Sequence, residues 1–163
     1  MNIAEVAFGD FQRELEQTRK VLERLPEDKL TWKPHEKSMS LGALADHVAR
    51  LPWFFEVGVR QDGYDMAGWQ QPPEPKTRDE VLKTFDQQAA AALAALKEVT
   101  PESLGQNWSL KGGDTVYFTM PRAAVLRTFS ISHIIHHRAQ LVVYYRLVGV
   151  AVPGLYGPSA DEQ

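Results

Sequence analysis

Helical periodicity is visible in four stretches of the chain. In the first stretch the inward positions alternate spacings of four and three residues, with charged residues between them: Ala4, Phe8, Phe11, Leu15, Thr18, Leu22 and Leu25. This spacing follows the 3.6-residue repeat of an α-helix and predicts one buried face over about six turns. Pro26 ends the predicted helix, because proline lacks the amide hydrogen that a helix interior needs.

The second stretch predicts a helix with a kink. Ser40 can accept a hydrogen bond from the first helical turn, so we predict that it caps a helix running to about Gly58. The inward stripe of this helix contains Leu44, His47, Leu51, Phe54 and Phe55. Pro52 lies inside the pattern and should bend the helix there, since it removes one amide donor.

Two further helices complete the pattern. Thr77 followed by Glu80 matches a capping box and predicts the start of the third helix. Its inward positions are Val81, Phe85, Ala89, Ala92 and Leu96. The last and longest helix is predicted from about Pro121 to Val148, where Gly149 suits a C-terminal cap.

Glycine- and proline-rich connections separate these four segments. Before the last helix, Lys111-Gly112-Gly113-Asp114 predicts the turn of a short β-hairpin, and the residues after Gly149 predict an irregular tail. We therefore predict an all-α fold, a four-helix bundle, in a single domain over residues 1–163.

The amino-acid composition argues against several classes of function. The net charge of -3 and the thin spread of Lys and Arg argue against a nucleic-acid-binding protein. The chain has no cysteine, which excludes disulfides and thiolate metal ligands. The first residues do not resemble a signal peptide, and no apolar run reaches the roughly 20 residues of a membrane span. We expect a soluble cytoplasmic protein with neither a nucleic-acid nor a membrane partner.

Three of the five histidines fall within the sequence SHIIHHRAQLV, residues 132–142. His133 and His137 are four residues apart, so a helix places them on one face, where both can bind a single metal ion. A His133–His136 pair is also allowed by spacing, but His136 points about 100° away from His137. The pair at four-residue spacing therefore fits better.

A third ligand must come from another helix, and His47 is the natural candidate because it lies on an apolar stripe. Alone, it would more often be a buried histidine bonded to a carbonyl; with the pair, coordination is favoured. Three histidines leave one metal position open, which is typical of catalytic sites. Imidazole suits several metals, and we expect a divalent ion, zinc or nickel first and iron next.

This combination resembles the DinB/YfiT-like superfamily of metal-dependent proteins. The resemblance is carried by LGALADHVARLPWF around His47, SHIIHHRAQLVVYYRLVGV around His133 and His137, and the tail VPGLYGPSADE, with Trp32-Lys-Pro before the second helix. It implies an up-down-down-up four-helix bundle, often a homodimer, with a divalent metal on three histidines. These would be His47, His133 and His137 here.

The resemblance leaves two functions open. One is a metal-dependent enzyme, a transferase that joins a low-molecular-weight thiol to a small electrophilic substrate, or a hydrolase. The other is a stress-related metal-binding bundle protein without catalysis. Gln140 and Tyr144 follow the pair on its stripe and could orient a substrate, although packing roles are commoner. Arg138 could meet an anionic group or contact the tail. A cavity lining is expected from Trp53, Phe54, Trp69 and Tyr156.

Overall fold

Helices make up most of the chain in the computed structural model, which describes residues 2–162. They are α1 (Ile3–Phe8), α2 (Phe11–Leu22), α3 (Leu41–Arg50), α4 (Trp53–Arg60), α5 (Arg78–Leu96), α6 (Pro101–Gly105), α7 (Arg122–Val125) and α8 (His133–Leu147). A π-helical segment, Leu126–Ser132, joins α7 to α8, and a 3-10 turn covers Glu27–Lys29. None of the helices within the described range is long and apolar enough to cross a membrane.

Three strands form a small mixed sheet in the order β1 (Gly63–Asp65), β2 (Asn107–Gly112) and β3 (Thr115–Pro121). β1 pairs parallel with β2, which pairs antiparallel with β3. Gly113 has a φ of 59° in the tight turn between β2 and β3, a conformation that glycine adopts without strain. The sheet therefore combines a hairpin with a strand from the connection after α4.

The predicted all-α four-helix bundle is wrong, because the fold is mixed and contains this sheet. The predicted hairpin is present as β2 and β3, and β1 adds a third strand to it. β1 is only three residues long, which is too short to show an alternating pattern in the sequence. β1 forms because the edge of β2 provides hydrogen-bond partners for its backbone. This contact joins distant parts of the chain, so the local hydrophobic pattern does not predict it.

Two of the predicted helices are interrupted. The first divides at Gly9-Asp10 into α1 and α2, yet Phe8 and Phe11 on either side stay buried. The second predicted helix divides between Arg50 and Trp53 into α3 and α4, at the position where we predicted a kink from Pro52. Both breaks turn the chain without moving the apolar stripe out of the core.

The last helical course runs from Arg122 to Leu147, close to the predicted span, but its middle is π-helical. Gly58 on α4 lies against this middle section, and a Cβ there would be 2.7 Å from a Leu126 methyl carbon. The absence of a side chain lets α4 approach the π-helical segment closely. This contact sets the distance between the second and last helical regions.

The main core lies between the helices. The Phe55 ring stacks on Phe11 with centroids 4.3 Å apart and meets Phe8 edge-on at 5.3 Å. A smaller apolar cluster of Val57, Trp108 and Val125 lies beside it, joining α4 and α7 to β2. The sheet is thus fastened to the same two helical regions that meet at Gly58.

Buried Arg122 closes the end of α4. Its guanidinium donates to the carbonyl oxygens of Gly58, Val59 and Gln61 at 2.5, 3.0 and 2.6 Å. The last carbonyls of a helix have no partner inside the helix, so these bonds satisfy groups that would otherwise be buried without one. Arg122 therefore fixes the point where α4 leads into β1.

Candidate metal centre

His47, His133 and His137 converge on one point between α3 and α8. The Nε2 atom of His133 lies 3.4 Å from that of His47 and 2.9 Å from that of His137. One ligand atom from each ring lies within 4.8 Å of the other two. Tetrahedral nitrogen ligands about 2.0–2.1 Å from zinc are about 3.3–3.4 Å apart, so the spacing is close to that of a metal site.

α3 carries His47 on a firmly held helix. The Ser40 hydroxyl accepts a hydrogen bond from the Ala43 amide at 3.0 Å and donates to Glu74 at 2.9 Å, which caps the helix start. Gly42 faces Leu30 so closely that a Cβ would be 3.2 Å from it. The start of α3 is therefore fixed against the preceding loop, and His47 follows nearly two turns later.

His133 is the first residue of α8 and directly follows the π-helical segment. Its Nδ1 is buried without a well-formed hydrogen bond among the described residues. Burial lowers its pKa, the charge of His137 lowers it further, and the nearby Phe129 backbone opposes both. π-helical turns occur frequently at functional sites, and this one sets the direction in which His133 points.

His137 is oriented by its own helix. Its Nδ1 lies 2.7 Å from Oε1 of Gln140, which places the hydrogen on Nδ1 and leaves the Nε2 lone pair facing His133. Gln140 therefore supports a proposed ligand, a role that differs from the substrate-orienting one considered from the sequence. A histidine ligand commonly has its second nitrogen held in this way.

Burial favours the neutral form of all three rings. It lowers the pKa of His47 to about 4, with repulsion from His137 and His133 adding to the effect. It also lowers the pKa of His133 and of His137. A neutral imidazole has a free lone pair and can bind a metal without first losing a proton. Three neutral nitrogens therefore fit a divalent ion.

The group of metal-ligating residues contains these three histidines and no Asp, Glu or fourth His within residues 2–162. A set of three nitrogens matches zinc, nickel, copper or iron better than the oxygen-seeking ions calcium and magnesium. It also matches the pattern of catalytic zinc sites, in which the protein supplies three ligands.

The other predicted residues lie outside the group. His136 is exposed and does not belong to it, so the alternative His133–His136 pair is not formed. The Tyr144 ring packs edge-on against Trp32, with centroids 5.5 Å apart. Arg138 is buried and contacts the tail through the Tyr156 hydroxyl at 2.5 Å. Arg138 and Tyr144 therefore have packing and tail contacts.

A cavity of about 520 Å³ opens beside His47. Its lining includes the predicted Trp53, Phe54 and Trp69, but Tyr156 is elsewhere, bonded to Arg138 and Glu14. Sequence reasoning missed Arg50 and Tyr64. Arg50 could have been found, because it follows His47 by three residues and so lies near it on the helix surface. Tyr64 could not, because it lies on the short strand β1.

We predict that the metal-free protein loses stability as the pH falls from about 6.5 towards 4. The folded pKa of His47 lies below its ordinary value of 6.5, so in this range the unfolded chain binds more protons than the folded one. Protons therefore favour unfolding there, and the stability present above pH 6.5 is lost. Urea unfolding in chelator at several pH values measures the slope.

The matched variants for this titration are His47→Gln and His35→Gln. His47→Gln should flatten the pH dependence between 6.5 and 4, whereas His35, which is exposed in a loop, should not affect it. Carboxylates that titrate at the acidic end contribute equally to both variants, so the difference isolates His47. Equal slopes in the two variants would contradict the prediction.

Comparison with known proteins gives similarities that span the chain. The model of the DinB family matches residues 1–163. Uncharacterized protein YrdA of Bacillus subtilis (strain 168) is 29% identical over 154 residues, covering 91% of this chain and 85% of YrdA. A DinB-like protein structure from Bacillus cereus ATCC 10987 matches with a TM-score of 0.73 and 26% identity, over 93% of this chain and 97% of that one. The DinB-like protein YjoA from Bacillus subtilis matches in fold, with a TM-score of 0.69 and 20% identity over 96% and 97%.

Proposed function

The chain belongs to the DinB family, and from that premise we propose that His47, His133 and His137 hold one divalent metal ion in a thiol-dependent transferase. The observation that carries the proposal is the convergence of three neutral imidazoles beside a cavity large enough for a small molecule. Zinc or nickel is the proposed ion, with iron as the next choice.

Metal binding, ligand orientation and exclusion of water would be carried out by different residues of the site. A divalent ion supplies Lewis acidity, which favours the deprotonated form of a thiol. The chain supplies the three nitrogen ligands, and Gln140 keeps the His137 ring in place. Trp53 and Phe54 cover one side of the cavity with apolar surface, which excludes water from the substrate.

The proposed reaction joins a thiol to an electrophilic carbon. The thiol releases its proton to solvent, its sulfur forms a bond to that carbon, and the leaving group departs with the electron pair of the broken bond. The chain has no cysteine, so the thiol must be a diffusible cosubstrate. A low-molecular-weight thiol meets this requirement. The cavity beside His47 supports this proposal over a metal that only stabilises the fold, since such a metal needs no adjacent space.

Metal content is the first test. We expect about one divalent ion per chain in tag-free wild-type protein by plasma mass spectrometry, and its loss in His47→Ala and His137→Ala. His35→Ala is the matched control and should keep the ion, because His35 lies outside the group. Folding of each variant is checked by circular dichroism. A wild type without metal, even after incubation with zinc and nickel, would overturn the proposal.

The catalytic half is tested with cobalt in place of the native ion. Addition of a small thiol should change the visible spectrum of the cobalt protein, because a sulfur ligand alters the field around the metal. Consumption of an electrophile such as monochlorobimane should then depend on both the thiol and His137. If cobalt binds but its visible spectrum does not change when a thiol is added, the result would instead favour the non-catalytic metal-binding function.

A further inference from the structure

The cavity beside His47 has walls of a defined chemistry. It lies between the end of α3, the start of α4, β1 and the loop that follows β1, and Gln88 of α5 closes one side. Its volume of about 520 Å³ falls in the range of small-molecule sites. One histidine of the triad, His47, forms part of the wall, so a bound molecule would lie next to the proposed metal.

Aromatic rings form the apolar part of the wall. Trp53 meets Tyr64 edge-on with centroids 4.8 Å apart, and meets Phe54 at 5.1 Å. Phe54 is supported from behind by Phe129, at 6.3 Å. Rings that hold one another in this way form a rigid surface, and such surfaces favour flat apolar ligands.

Trp69 stands at the cavity with 54% of its surface exposed. A large apolar side chain exposed beside a cavity with aromatic walls is typical of a binding site. Its ring lines the same cavity as Trp53 and Phe54 and adds to the apolar surface that a bound ring could contact.

Arg50 supplies the only charge among the residues that line this cavity. Its Nε donates to Asp46 at 2.6 Å, while its terminal nitrogens have no acceptor among residues 2–162. A guanidinium with free terminal donors favours a carboxylate or a similar planar anion. Asp46 and Glu74 line an adjoining recess that shares His47, Arg50, Trp69 and Pro72 with the cavity, and the residues that line the cavity itself include no carboxylate.

We propose that this cavity binds an aromatic or similarly flat apolar molecule that carries one carboxylate, with its ring beside Trp53 and Trp69 and its carboxylate on Arg50. The claim that this ligand is the substrate rests on the proposed function, because the ligand would then present its reactive carbon near His47. The claim that the cavity binds the ligand does not depend on the metal, since none of the recognition contacts involves the ion.

The test uses 2-naphthoate as the probe and 2-naphthylmethanol as its uncharged counterpart. Both are titrated by calorimetry into zinc-loaded and into chelator-treated protein. We expect saturable binding of 2-naphthoate in both forms, with naphthylmethanol about tenfold weaker or more, because it lacks the charge that pairs with Arg50. The chelated form excludes direct binding of the carboxylate to the metal as the explanation.

Two variants and two controls assign the contacts. Arg50→Gln should weaken 2-naphthoate about tenfold and leave naphthylmethanol unchanged. Trp69→Ala should weaken both probes. Arg60→Gln, which removes an ion-paired arginine outside the cavity, and Tyr117→Ala, which removes an exposed ring on β3, should have no effect.

Absence of saturable binding, equal affinity for the two probes, or an Arg50→Gln variant that binds 2-naphthoate like wild type would each overturn the cavity proposal. The metal content of the same samples is measured in parallel. If the protein binds 2-naphthoate but no metal, the proposed metal-dependent function is wrong and the cavity proposal stands. If it binds metal but not 2-naphthoate, the cavity proposal is wrong and the metal-dependent function stands.

Discussion

Replacing Arg138 with methionine is expected to lower the free energy of unfolding by about 3–5 kcal/mol. Arg138 is 1% exposed and donates to the Glu14 carboxylate at 2.7 Å, to the Glu14 backbone oxygen at 3.0 Å and to Thr18 at 3.2 Å. Its removal leaves the buried Glu14 carboxylate without its closest cation, with the Tyr156 hydroxyl at 2.7 Å and the exposed Arg13 guanidinium at 3.7 Å as its remaining partners. A buried charge without its partner is among the most destabilising changes a single substitution makes.

The matched control lies two turns further along the same helix. Arg146 pairs with Asp161, but half of its side chain is exposed to solvent, which weakens the pair, so Arg146→Met should change the free energy of unfolding far less than Arg138→Met. The double variant Arg138→Met with Glu14→Leu removes both charges and should recover a large part of the loss. Urea unfolding followed by circular dichroism measures all four proteins. Equal losses at Arg138 and Arg146 would contradict the prediction.

This buried pair also bears on the candidate metal centre. Arg138 directly follows His137, and its bonds to Glu14 tie α8 to α2. The Tyr156 hydroxyl completes the group by donating to Glu14 at 2.7 Å, which holds the tail over the two helices. A rotation of α8 that moved His133 and His137 away from His47 on α3 would break these bonds. The network therefore stabilises the orientation of α8 that brings the histidines together.

The histidine group could be predicted because it depends on regular geometry. His133 and His137 share a helix face by the 3.6-residue repeat alone, and His47 lies on an apolar stripe that must face inward. The membership inferred from the sequence, the DinB family, is confirmed by a match over the whole chain. What the sequence could not supply is the separation of the nitrogens. The π-helical turn of residues 126–132, which directly precedes His133, also leaves no trace in the hydrophobic pattern.

Strand β1 and the buried ion pair of Arg138 were missed for a related reason. β1 is too short to show a period, and its backbone partners come from β2, more than 40 residues further along the chain. The partner of Arg138 is 124 residues away in the sequence, so nothing near Arg138 predicts a buried ion pair. Local patterns predicted the main helices and the three-histidine group, whereas features made by contact between distant segments needed the structure.

Zinc is expected to stabilise the protein by about 4 kcal/mol when its free concentration is 1,000 times the dissociation constant, because it binds the folded state alone. Unfolding separates α3 from α8 and so disperses the three nitrogens. His133→Ala should abolish this gain, since His133 Nε2 is the atom that lies near both other rings. Urea unfolding in a zinc buffer and in chelator gives the difference directly.

His136→Ala is the sharpest control for that result, because it removes an exposed imidazole from the same helix, one residue from His137, without entering the group. It should keep the full zinc-dependent gain. Loss of the gain in His136→Ala with retention in His137→Ala would reassign the ligand pair to the three-residue spacing. Retention of the gain in both His133→Ala and His47→Ala would mean that zinc binds elsewhere, since each variant leaves only two of the three imidazoles of the group.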